Sequence, residues 1–231
     1  MSVWALPKKG SPSARCNRIS LIFALAIGTT LSHAAEAKAI FAEFERGLQA
    51  RRSASGNLVG AGPEGVSYAA NFLLQKPCSF RVIDGQVELH CNGKVQFNHL
   101  VAEKQYFKRD VSTKLGSGVP GGLDAFFGFP TGSLAPYFVH KTEFRMQIVN
   151  GHQCAAKALR FESFGRDDRM VFYVDRTSKQ ILGWDQVFGG TKTYLRFSHL
   201  AFDIPVPKGA FDWKPTPDLK EQPQTGGEGE P

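Results

Sequence analysis

Four cysteines and six histidines are the side chains in this chain best suited to redox chemistry, metal binding or proton transfer. Two of the cysteines, Cys78 and Cys91, flank Asp84-Gly85, a strong hairpin-turn pair because both central positions of a favoured two-residue turn need positive φ. With that turn Ile83 pairs with Gln86. Outward from it Val82 faces Val87, Arg81 faces Glu88, Phe80 faces Leu89 and Cys78 faces Cys91. Alternation makes the cysteine pair a non-hydrogen-bonded one, with Cα atoms about 4.5 Å apart, at the short end of disulfide reach. The spacing therefore predicts a Cys78–Cys91 disulfide in an oxidising compartment, the alternative being two buried reduced thiols. Cys154 is left over, either free and buried or the true partner of one of the others. His90, His99, His140, His152 and His199 fall at no metal-ligand spacing and read as surface or core histidines. There is no Gly-x-Ser-x-Gly elbow, His-Glu-x-x-His, phosphate loop or Cys-x-x-Cys. Asp167 and Asp168 lie in a charged turn, Gly165 to Arg169, and read as solvated carboxylates. The expectation is a chain without catalytic residues, metal or cofactor.

The elements that position these residues are read from periodicity. Ile40, Phe41, Phe44 and Leu48 share one face of a helix over 36–51, with Glu43, Glu45, Arg46 and Gln49 opposite. Gly56 and the stretch from Gly60 to Gly65 are expected to end it. Period-2 alternation follows: Tyr68, Ala70, Phe72 and Leu74, then the hairpin, then runs near 94–99, 103–109, 142–149, 156–164, 169–175, 180–188 and 191–203. Asn92-Gly93, Asn150-Gly151 and Gly189-Gly190 separate them. So many strands with short turns and no intervening helices imply an antiparallel meander curled over its apolar face. From Ser112 to Tyr137 the alternation stops. This glycine-rich segment carries Leu123, Phe126, Phe127, Phe129 and Leu134. A connection this long is usually functional or disordered. Its aromatics leave two readings open, a glycine-hinged lid over a cavity or a short helix fixed as a plug.

The N-terminus reads as a cleavable export signal, residues 1–34. Lys8, Lys9, Arg15 and Arg18 precede an apolar run from Ile19 to Leu31, and small residues follow at Ser32, Ala34, Ala35 and Ala37. The run is too short for a membrane span, which needs about 20 residues. Cys16 precedes the run and so is not the modified residue of a lipoprotein. Cleavage is expected after Ala34, with Ala35 and Ala37 as alternatives. Loss of four cations and no acid takes the formal charge from +7 to +3, which argues against nucleic acid as a partner. One domain is expected over 35–215. Residues 216–231, almost without apolar side chains, read as a disordered tail.

The chain also resembles the outer-membrane lipoprotein carrier superfamily, the LolA-like lipoprotein-sorting proteins. The elements that carry the resemblance occur in order. They are Leu73-Leu74-Gln75-Lys76-Pro77 with Phe80-Arg81, then Asn92-Gly93-Lys94 leading into Val95-Gln96-Phe97-Asn98. Phe172-Tyr173-Val174-Asp175 with Thr177 follows, then Ile204-Pro205 and Phe211-Asp212-Trp213-Lys214-Pro215. The resemblance implies an α+β fold: a strongly curved antiparallel sheet, an unclosed β-barrel, with an N-terminal helix and a short helical lid over its concave face. It implies a soluble, monomeric periplasmic protein that binds lipoprotein acyl chains or other lipid in a hydrophobic cavity. An envelope sensor that uses the same half-barrel to bind a protein partner is the alternative. Phe72, Leu74, Phe80, Val82 and Leu89 would line the cavity, with Phe126, Phe127 and Phe129 closing over it. Where the carrier has an arginine that ties the lid, this chain has Lys76, a point charge without the guanidinium fork. Cys78 and Cys91 are outside the carrier's usual pattern.

Overall fold

The computed structural model describes residues 16–62, 65, 67–111, 123–127, 139–161 and 168–223, with side chains left undescribed at 16–31, 124, 125 and 140. A helix, α1 (Cys16–Ala50), precedes six strands: β1 (Ser53–Ala61), β2 (Ser67–Gln75), β3 (Ser79–Ile83), β4 (Val87–Asn92), β5 (Val95–Leu100) and β6 (Gln105–Asp110). A 3₁₀ helix (Asp124–Phe127) is followed by β7 (Val139–Val149), β8 (His152–Phe161), β9 (Arg169–Asp175), β10 (Ile181–Phe188), β11 (Thr191–Phe202) and β12 (Lys220–Gln222).

The twelve strands among the described residues form one sheet in the order β12-β6-β5-β4-β3-β2-β1-β11-β10-β9-β8-β7. It is two meanders, β1–β6 and β7–β11, joined where β11 returns antiparallel to β1. The edges, β12 and β7, do not meet, so the barrel is unclosed. This is the α+β architecture expected. Strand β1 was not: its glycines read as helix-ending loop. At the β1–β11 seam a bulge falls between Asn57 and Leu58. A Cβ on Gly56 would lie 2.2 Å from the His199 carbonyl oxygen and 2.6 Å from the Phe72 ring. The glycine is there because backbone and ring both pack against it, a contact that sequence cannot announce.

The hairpin register differs from expectation. Ser79 pairs with Asn92, Phe80 with Cys91, Val82 with Leu89 and Ile83 with Glu88. The turn residues are Gly85-Gln86, closed by the Asp84 N–H donating to the Val87 carbonyl. Asp84 sits before the turn because its Oδ1 accepts from the amides of Gln86 and Val87 at 2.9 and 2.6 Å. Gly85 then takes the first central position with φ of 85°, the glycine-first turn type. Asn92-Gly93 repeats the device, with Asn92 Oδ1 accepting from Lys94 and Val95, both at 3.0 Å. The shift is two residues, so every side chain keeps its face, but Cys78 no longer opposes Cys91. Both are free thiols here. The Cys91 thiol donates to the Cys78 carbonyl at 3.4 Å, and Cys78 Sγ to the Gly93 carbonyl at 3.3 Å. Cys154 is free and buried, its thiol pushed up to about 11 by burial and then by Asp175.

Two further expectations change. Order continues into the segment read as tail, because β12 pairs in parallel with β6 and Glu221 accepts from the Tyr106 hydroxyl at 2.8 Å. Residues 224–231 lie outside the described set. Asp168, read as solvated, is 3% exposed, with Oδ1 accepting from the Gly189 amide at 2.9 Å. It ties the β8–β9 connection to the β10–β11 turn, a tertiary contact.

Helix α1 covers the β7–β8–β9 side of the sheet. Ala37, Ile40, Phe41, Phe44 and Leu48 are buried, the stripe that 3.6 periodicity requires. Phe41 meets Phe144 edge-on at 6.0 Å, and Lys157 reaches Glu45 at 3.0 Å. Among the described residues no helix is long and apolar enough to cross a membrane.

Candidate functional site: the concave face

Strand alternation puts Phe72 and Leu74 of β2, Phe80 and Val82 of β3, and Leu89 of β4 on the concave side, in one cluster with the buried face of α1. Leu74, Phe80 and Cys91 sit side by side across β2, β3 and β4, all fully buried. Leu89 is half-buried. From the mid-chain segment Leu123 and Phe126 are fully buried in the same cluster. Phe127 is half-buried and meets Phe126 edge-on at 4.9 Å. Phe129 lies outside the described residues. The structure thus gathers seven of the eight residues expected to form the apolar face.

Sequence reasoning missed the other half of that face. Phe72 packs edge-on against Phe197 of β11 at 5.7 Å, Phe197 against Trp184 of β10 at 6.0 Å, and Trp184 against Phe172 of β9 at 6.4 Å. These residues stood in the alternating runs. Only the β1–β11 pairing brings them beside Phe72.

Lys76 follows β2, ahead of a cis peptide bond to Pro77. Its ammonium donates to the Gln49 carbonyl in the last turn of α1 and lies 5.1 Å from the centre of the Phe126 ring. The carbonyls of a helix's last turn lack intrahelical partners and carry partial negative charge, so a cation is favoured there. Burial lowers the Lys76 pKa, against an opposing pull from Asp203. One side chain therefore joins the helix end, the sheet and the 3₁₀ helix, at the position where the family resemblance put lid control.

At the far end of β2 the concave face opens into a pocket of about 590 Å³, in the size range of small-molecule sites. Tyr68 and Leu195, which pack on the core cluster, line it with Ala61, Ala69 and the exposed Tyr194. Its polar groups come from Ser67, Asp84, Gln86, Gln186 and Thr193. The Thr193 hydroxyl oxygen is shielded from solvent and has no hydrogen-bond partner among the described residues. Burial, and then the charge of Asp84, raise the Tyr68 pKa, so its hydroxyl stays a proton donor. None of these lining residues was named from sequence as a site residue: Asp84 and Gln86 were read only as part of the hairpin, and Tyr68 only as the head of the alternating run that holds Phe72.

Gln96, fully buried, accepts from Arg109 Nε at 3.1 Å and donates to Asn98 at 2.7 Å.

No family model and no curated protein matches this sequence. Solved structures do match by shape. An uncharacterized conserved protein of Thermus thermophilus superposes with a TM-score of 0.52 at 11% identity, over 80% of this chain and 99% of its own. A LolA superfamily protein of Nitrosomonas europaea gives 0.36 at 10% identity, over 76% and 96%. LprF of Mycobacterium bovis gives 0.42 at 10%, over 76% and 96%. The Thermus match establishes a shared fold.

Proposed function

We propose that this chain is a divergent LolA-like protein, exported to the periplasm, that shields acyl chains of lipoproteins or other lipids on its concave face. One observation carries the reading: a continuous apolar and aromatic surface lies inside an unclosed sheet, covered at one end by α1 and the 3₁₀ helix and open at the other into a pocket. A surface of this kind matches the energetic need. Each buried CH₂ contributes about 0.8 kcal/mol, so a sixteen-carbon chain represents roughly 12 kcal/mol that water does not supply. The acyl chain enters at the pocket and extends beneath the 3₁₀ helix as that segment lifts. Lys76 holds the segment down in the empty state. The role is binding and not catalysis.

Native mass spectrometry of the exported, processed protein tests this. Co-purified lipid or acyl-peptide, displaced by added acyl ligand, is the expected result. A protein that carries no lipid, takes up none and instead co-purifies with a stable protein partner would support the sensor reading in its place.

A further inference from the structure

The pocket at the open end of the concave face has a charge signature that the apolar face lacks, and it restricts what the polar end of a bound amphiphile can be. The inference rests on the acyl-binding reading above. Ser67, Tyr68 and Thr193 bring hydroxyls, Gln86 and Gln186 bring amides, and among the described lining residues the one charged side chain is Asp84, a carboxylate. Among the described residues lining the pocket there is no cation. The neighbouring cations on β11 are held on the other face of the sheet, where Asp185 engages Arg196 at 2.6 Å and Lys192 at 3.8 Å. An acyl chain ending in a carboxylate or phosphate would bring a second negative charge beside Asp84 with no cation among the described lining residues to neutralise it, in a partly desolvated site where like charges repel strongly.

A neutral ester or amide meets the opposite situation. Its carbonyl accepts hydrogen bonds and its hydroxyl or N–H donates them, which suits a lining of hydroxyls and amides. The shielded Thr193 oxygen without a partner is the group such a ligand would satisfy, since a buried polar atom left unpaired is costly. Leu195 and the Tyr68 ring, which pack on the core cluster, offer apolar surface for the first methylenes. We propose that this pocket is a head-group site selective for acyl chains joined through an uncharged ester or amide, and that Asp84 excludes free fatty acids and phosphate-bearing lipids.

Asp84 can be tested without breaking its turn. Asn92 holds the next hairpin turn through the same Oδ1 geometry, so Asp84→Asn removes the charge and keeps the acceptor. Equilibrium binding of the processed protein is measured at pH 8 with three labelled probes presented from cyclodextrin: 1-monopalmitoylglycerol, an N-palmitoyl dipeptide amide and palmitate. The expected result is at least tenfold tighter binding of one or both neutral probes than of palmitate. The probe that binds identifies the ester or the amide source. Asp84→Asn should narrow the gap at least threefold by improving palmitate alone, and Thr193→Val should weaken the neutral probes while leaving palmitate unchanged. Palmitate binding as tightly as the neutral probes, or an unchanged gap in Asp84→Asn, overturns the selectivity. If Phe72→Ala weakens the neutral probes but Thr193→Val does not, the head group lies elsewhere and the acyl-binding reading survives. If no probe binds at all, both fall.

Discussion

Truncating Phe80 separates a packed face from one that ligand or water occupies. Phe80 sits between Leu74 and Cys91 in a row of fully buried side chains. An aromatic side chain of this kind buries about 150–250 Å², which at about 25 cal/mol per Å² sets an upper bound near 4–6 kcal/mol. Measured losses for such truncations run about 3–5 kcal/mol. In a domain of this size each kcal/mol moves the melting temperature by about 2–4 °C, so Phe80→Ala should lower it by about 6–20 °C. Phe127, half-buried on the 3₁₀ helix, has about half as much to lose, and Phe127→Ala should cost about 1–2 kcal/mol, or roughly 2–8 °C. Thermal melts by circular dichroism, with urea titrations as a check, read both. A Phe80→Ala shift under about 3 °C with weakened acyl binding would refute the packing argument and make this row a ligand-filled cavity wall. A Phe127→Ala shift as large as that of Phe80→Ala would make the 3₁₀ helix a fixed plug and not a closing element.

Lys76→Ala removes the bond to the Gln49 carbonyl and the contact with Phe126. It should speed hydrogen exchange over 123–127 by several-fold, while Lys76→Arg stays near the parent; unchanged exchange in Lys76→Ala removes the latch. The C-terminal segment should loosen in acid. Trp213 stacks on His90 at 5.6 Å and packs on His99 at 5.5 Å, and both histidines face Glu88. Burial lowers the His90 pKa against the pull of Glu88, so the folded state takes up its proton later than the unfolded one, and this contribution is lost as pH falls below about 6.5. For Glu88, burial works the other way, but the hydrogen bonds from His99 and His90 prevail and hold its pKa low, adding a second loss below about 4.3. Protection factors over 203–223, corrected for the intrinsic pH dependence of amide exchange, should therefore fall between pH 7 and 5; a flat profile would show that Trp213 does not report on this cluster. Iodoacetamide should label half-buried Cys78 in the native protein, and buried Cys91 and Cys154 only after unfolding. A Cys78–Cys91 disulfide in peptides mapped without reductant would contradict the observed register.

Local chemistry makes much of this protein legible in its sequence. The stripe Ile40, Phe41, Phe44 and Leu48 marks the buried helix face, since 3.6 periodicity leaves one way to hide four apolar side chains. Alternation placed β2 and the strands from β3 to β11 within a few residues and put Phe72, Leu74, Phe80 and Val82 on one face, because a period of two survives any even shift in register. That tolerance also hid the error in the hairpin. Moving the turn from Asp84-Gly85 to Gly85-Gln86 left every face unchanged and separated the cysteines, and it turned on which backbone amides the Asp84 carboxylate reaches. Strand β1 was illegible because Gly56 and Gly60 look like loop residues until β11 packs against them. With β1 unseen, the seam joining the two meanders was unseen too, and with it the Phe197, Trp184 and Phe172 half of the face and the pocket between Tyr68 and Thr193. Those groups are far apart in the chain. Only the long-range β1–β11 pairing, a tertiary event with no local signature, brings them to one site.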